Sequence, residues 1–162
     1  MSADEQKEKI EKCNKYFGPT LFNATWELID KGDKRTEEDE LMMIHTAHAS
    51  VYHWRQFGKT INFARGEWQL ARVYSILKRV QQAMYHAQNC LNICLKCKKN
   101  NEEIADWDIP FAYEAMARAA VIGGAKDVAE KFVKLAREEG EKIAEKGDKD
   151  YFFSEIDTVK ID

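Results

Sequence analysis

The chain reads as an all-α protein, a single domain (residues 1–162) of about six to seven stacked antiparallel helices. Three observations predict this. Apolar residues recur at spacings of three and four, beginning with the stripe Ile10, Cys13, Phe17, Leu21, Ala24 and Leu28. No stretch of convincing length alternates apolar with polar residues as a half-buried strand would. The connections between periodic segments are short, so successive helices should lie antiparallel to their neighbours.

Ser2 with Glu5 three residues on forms a possible capping box, so a first helix should start near Ala3. Its stripe runs through Gly18-Pro19, which should kink the helix or split it in two, because proline lacks the N–H of the helical ladder. Lys31 to Arg35 is a charged turn. Thr36 with Asp39 opens a second helix that ends at Gly58. A third runs from about Asn62 to Lys78, and a fourth, from about Gln81 to Lys98, follows so closely that the two must form a hairpin. After a polar loop, Asp108 caps a fifth helix with Pro110 in its first turn, and Gly123-Gly124 ends it. A sixth is expected from about Lys126 to Lys146 and a short seventh over Tyr151 to Val159.

Composition narrows the function classes. Hydrophobic residues at 44% and charged residues at 33%, with only two prolines, suit a globular helical protein rather than a disordered one. A net charge of −3 gives no reason to expect nucleic acid or an anionic membrane as partner. Residues 1–9 are polar and no later run approaches a membrane span, so a cytoplasmic location and four reduced cysteines (Cys13, Cys90, Cys94, Cys97) are expected.

Two hairpins share a pattern. The first reads Leu70-Ala71-x-x-Tyr74, then Ala83-x-x-x-Ala87-x-x-Cys90-Leu91. The second reads Met116-Ala117-x-x-Ala120, Gly124, then Ala129-x-x-x-Val133-x-x-Ala136. This resembles the tetratricopeptide repeat, best over roughly Gly66 to Glu138 and weakly over Phe17 to Gly58. Two features depart from it: the units lie further apart than the family's usual period, and its closing proline is absent. The stretches AHASVYHW (47–54), HAQNCLNIC (86–94) and FAYEAMARA (111–119) also resemble a set of small prokaryotic proteins of unassigned function. The repeat resemblance implies a right-handed superhelix with helices one, three and five along a concave face. Its groove positions would be Arg65, Trp68 and Arg72 on helix three, Phe111, Glu114 and Arg118 on helix five, and Phe22 and Trp26 on helix one. The function implied is that of a scaffold or adaptor holding an acidic or extended segment of a partner protein or peptide, since arginine beside aromatic residues suits carboxylates. The plainer alternative is that Arg118 pairs with Glu114, four residues earlier, on a solvated helix face.

The residues that could carry chemistry are few. Cys90-x3-Cys94-x2-Cys97 places three thiols on one helix face, but about 10 Å separates the outer two along the axis, too far for one metal ion. Core packing is the expected role. His45 and His48 fall at the edge of and within a broad apolar arc (Leu41, Met43, Ile44, Ala47, Val51, Tyr52, Trp54), while His53 points away. The competing reading is therefore a helical-bundle metal binder or enzyme using His45 and His48, completed by His86, Glu67 or Glu114 from other helices. The plain reading is a hydrogen-bonded core histidine, with Tyr52 or Glu67 as candidate partner. Trp54 is expected in the core, Trp107 in an exposed loop, and Trp68 in the groove. No phosphate loop or nucleophile elbow is present, so no cofactor is expected. Phe152 and Phe153 could either mediate a homodimer or close the end of the stack.

Overall fold

In the computed structural model, which describes residues 2–161, seven α-helices account for most of the chain. They are α1 (Ala3–Ile29), α2 (Glu37–Phe57), α3 (Thr60–Ile76), α4 (Val80–Lys99), α5 (Asp108–Ile122), α6 (Lys126–Gly140) and α7 (Lys146–Ile156). A 3₁₀ turn over Gly32–Lys34 joins α1 to α2. Among the described residues there is no strand. No described helix is long and apolar enough to cross a membrane.

The helices pack as three hairpins, α1 with α2, α3 with α4, and α5 with α6; α3 touches both α1 and α5, and α7 lies against α5 and α6. The capping boxes are where the sequence places them. Ser2 and Glu5 exchange hydrogen bonds at the start of α1, as do Thr36 and Asp39 at the start of α2. Each pair satisfies two backbone donors that a helix start leaves open.

Small side chains set the close crossings. In α4, Ala83, Ala87, Cys90, Cys94 and Cys97 are all buried, so the three thiols lie along the packed face. Facing α4 is α5, with Ala112, Ala115, Met116 and Ala119 buried in the same core as α3's Leu70, Ala71 and Val73. Cysteine acts here as a compact apolar side chain. At Gly66 the approach of α2 is so close that an added Cβ would lie 2.6 Å from Val51 Cγ2.

Three boundaries differ from expectation. Pro19 lies inside α1, which neither splits nor ends there. The hydroxyl of Ser50, buried on α2, donates to the Gly18 carbonyl at 2.7 Å and ties α2 to α1 beside the proline. The sixth helix stops at Gly140 rather than near Lys146, and the Phe152 ring of α7 packs where a Cβ on residue 140 would be. The last helix starts earlier, at Lys146, with Glu145 accepting the Asp148 N–H at 2.7 Å as its cap. Phe152 is fully buried against Phe111, Ala136, Ile143 and Ile156, so it seals the end of the stack and is not free for a dimer contact.

Candidate functional site

The first helices of the three hairpins, with α7, enclose a cleft of about 620 Å³. From α1 come Phe22, Trp26 and Ile29, with Asp30 at its C-cap. The third helix adds Asn62, Arg65, Trp68 and Arg72, each one turn from the next. Trp54 enters from α2, Trp107 and Phe111 from the start of α5, and Asp148, Tyr151 and Glu155 from α7. All four tryptophans of the chain therefore line one cleft.

The rings touch in series across four helices. Centroids lie 4.9 Å apart for Trp54 and Phe22, 6.2 Å for Phe22 and Trp26, 5.3 Å for Trp26 and Trp68, and 5.1 Å for Trp68 and Phe111. Phe111 continues the series to Trp107 at 6.4 Å and to Tyr151 at 5.9 Å. Angles between these ring planes run from 41° to 78°, the tilted and edge-on arrangements that aromatic quadrupoles favour. Under the rings, the Gln69 side-chain amide donates to the Phe22 carbonyl at 2.8 Å and ties α3 to α1.

The arginines are matched by the chain's own carboxylates. Arg65 makes a two-pronged pair with Asp108, Nε to Oδ1 at 2.9 Å and Nη2 to Oδ2 at 3.0 Å, and its guanidinium lies 4.3 Å from the Trp107 ring centre. That sandwich explains why Trp107 is half-buried rather than exposed in its loop. Asp108 is the first residue of α5, but its carboxylate takes the Ala105 N–H at 2.8 Å as well as Arg65, rather than a donor inside the helix. Arg72 Nη2 lies 3.0 Å from Glu114 Oε1 and 2.6 Å from Glu155 Oε2. Burial alone would lower the pKa of Arg72, but Glu114 and Glu155 outweigh it and raise it. Arg72 Nε is buried with no acceptor.

Glu114 corrects the groove assignment. It does not line the cleft; it is fully buried behind it, taking hydrogen bonds from Arg72, from Arg118 Nε and from the Trp68 indole N–H at 3.3 Å. The pairing of Arg118 with its i−4 neighbour is real, but the face is not solvated. Arg118 also turns away from the cleft, donating to the Glu155 carbonyl at 2.9 Å and to Thr158 Oγ1 at 2.5 Å. Of the five groove residues, the structure brings Arg65, Trp68 and Arg72 to the cleft wall and sets Glu114 and Arg118 behind it.

One sequence signal passes unread without the fold. Asp148, Tyr151 and Glu155 follow at spacings of three and four, and Asp30 continues by one more turn the Phe22 and Trp26 face expected in the groove. Each trio is one helix face turned to the cleft. The Tyr151 hydroxyl is pushed up in pKa by burial and by Glu155, with Arg72 opposing and Asp30 and Glu114 adding to the rise.

The histidines form a different group. The apolar arc on α2 is narrower than expected: Met43, Ala47, Ser50 and Trp54 are buried, whereas Leu41 and Tyr52 are about half exposed. His48 lies on the flank of this face and is partly exposed, with Nε2 2.8 Å from the Tyr74 hydroxyl. Glu67 instead pairs with His86 Nδ1 at 2.7 Å, and the His86 ring stacks on Tyr74 at 8° between planes. His45 is exposed, and His53 bonds Asn14 at 2.8 Å. Burial and the nearby His86 lower the His48 pKa, against a smaller opposing effect of Glu67. Among the described residues, no three histidine, cysteine, aspartate or glutamate side chains converge to hold a metal. Neither His48 nor His86 lines the cleft.

No family model, curated protein or solved structure matches this chain.

Proposed function

We propose that the protein is a binding module whose cleft holds an extended segment of a partner protein. One observation carries this reading: four tryptophans that are far apart in the sequence, on α1, α2, α3 and just before α5, meet in a single open cleft. Tryptophan is enriched where binding energy concentrates, and binding clefts of this size are lined mainly by aromatic and apolar groups with a few placed polar ones. Trp26, Trp68 and Trp107 keep accessible surface in a protein that buries other large side chains completely. The arginines contribute as positioned walls, since each already has an internal carboxylate.

A library of extended ten-residue peptides, screened by tryptophan emission, tests this directly. The expected result is a subset of peptides that shifts the emission of the wild type and not of Trp26→Ala. Trp26 makes ring contacts but no side-chain hydrogen bond, so this variant should fold. Unchanged peptide binding by a folded Trp26→Ala protein would remove the cleft from the account.

A further inference from the structure

Two guanidinium groups line the cleft, Arg65 and Arg72, and a third, Arg118, lies behind its wall. Each is in an ion pair with Asp108, Glu114 or Glu155, so the arginine cluster is spent on internal carboxylates. Two further carboxylates, Asp30 and Asp148, line the cleft, one at the end of α1 and one in the first turn of α7. Both are exposed, and among the described residues neither side chain has a hydrogen bond or ion pair. Among the residues that line the cleft, three carboxylates, Asp30, Asp148 and Glu155, against two guanidinium groups, Arg65 and Arg72, leave an excess of one negative charge. The rings of Trp26, Trp68 and Tyr151 line the same cleft as these two carboxylates.

Ring faces carry negative potential and attract cations, more strongly where water is partly excluded. An anionic group entering the same space would compete with Asp108 and Glu155, which hold the arginines at 3.0 Å or less, and would be repelled by Asp30 and Asp148. Arg72 Nε is buried with no acceptor and does not present itself to a ligand.

We propose that the cleft receives the side-chain ammonium of a lysine, plain or methylated, within an extended basic segment of a partner protein, the ring faces of Trp26, Trp68 and Tyr151 surrounding it and Asp30 and Asp148 supplying the counter-charge. This rests on the binding-module reading and replaces the acidic segment that the arginines alone suggest. The lysine's four-carbon stem suits the apolar walls while its charge remains near the rim carboxylates.

The test uses the intact protein and three peptides of one length that differ at the central residue: lysine, its uncharged acetylated form, and glutamate. Binding is read by tryptophan emission. The lysine peptide is expected to bind about tenfold more tightly than the acetylated one, through combined cation–π and charge attraction. In the Asp30→Asn/Asp148→Asn double variant its affinity should fall about fivefold, and raising salt from 0.1 to 1 M should erase most of the difference between lysine and acetyl-lysine. Both substitutions are at exposed side chains and keep shape, and a matching thermal melt confirms the fold. Equal or tighter binding of the glutamate or acetylated peptide through the same tryptophans would overturn the charge inference and leave the cleft as a binding site. No change in emission with any of the three would overturn both.

Discussion

Glu114 gives the sharpest prediction about how the cleft is built. Its carboxylate is fully buried and joins three elements: Arg72 and Trp68 on α3, Arg118 one turn along α5, and through both arginines Glu155 on α7. Glu114→Ala removes the acceptor and leaves two guanidinium groups, 12% and 16% exposed, with only the part-exposed Glu155 as counter-charge. Breaking a buried pair in this way costs about 3–5 kcal/mol, because the remaining charge loses its compensation. In a chain of this length each 1 kcal/mol moves the melting temperature by about 2–4 °C, so a fall of about 6–20 °C is expected. Glu114→Gln keeps the shape and one acceptor and should cost about half as much, in line with the 1.5–3 kcal/mol of a charged hydrogen bond. Thermal and urea unfolding followed by circular dichroism measure both. A double-mutant cycle of Glu114→Gln with Arg118→Met should show a coupling of about 1–3 kcal/mol. A Glu114→Ala protein within about 1 kcal/mol of wild type would refute the reasoning, since the carboxylate would then not be what holds the arginines.

Other consequences are independent of this cluster. Phe152 is fully buried at the junction of α5, α6 and α7, so Phe152→Ala should cost about 3–5 kcal/mol in urea unfolding and loosen the α7 wall of the cleft. Gly140→Ala should also destabilise, by about 1–3 kcal/mol, because the new methyl group and the Phe152 ring compete for one space. An aromatic thiol reagent should titrate Cys13 quickly in the native protein and all four cysteines only in denaturant. Cys90, Cys94 and Cys97 are buried, and hydrogen bonding with Cys94 and burial raise the Cys90 pKa well above its ordinary value. The lowered pKa of His48 sets a direction with pH. The unfolded chain takes up the proton near pH 6.5 while the folded chain resists it, so this contribution is complete above about 6.5 and is lost as pH falls through the folded value. His48→Gln should flatten the loss of stability between about pH 7 and 5, read from urea midpoints across that range.

Local chemistry made much of the fold legible. The two capping boxes, the ends of α2 and α5 at glycine, and the small-residue stripes of α4 and α5 follow from sequence offsets of three and four, and the elements up to α5 stand within a few residues of their expected places. The errors came from partners distant in sequence. Nothing near Gly140 says that Phe152 will pack against it where α6 ends. Pro19 reads as a kink or a split, yet α1 continues through it, packed on α2 with the Ser50 hydroxyl bonded to the Gly18 carbonyl. The site divides in the same way. Trp68, Arg65, Arg72, Phe22, Trp26 and Phe111 could be placed by repeat offsets. What sequence offsets miss is charge compensation: Arg65 meets Asp108 across 43 residues and Arg72 meets Glu155 across 83, so arginines that read as free are already paired. The α7 contribution, Asp148, Tyr151 and Glu155, has a helical spacing that is easy to recognise only once the cleft is known.

The central claim is that this cleft is where the protein binds. The most direct measurement follows the indole N–H resonances of the four tryptophans by ¹⁵N-resolved NMR during titration with the lysine-bearing peptide. The account predicts that Trp26, Trp68 and Trp107, which keep accessible surface on the cleft wall, shift together and saturate at one affinity, while the more buried Trp54 moves less. Saturable binding that leaves those three indoles unmoved and perturbs only backbone signals of α4 and α6 would contradict it.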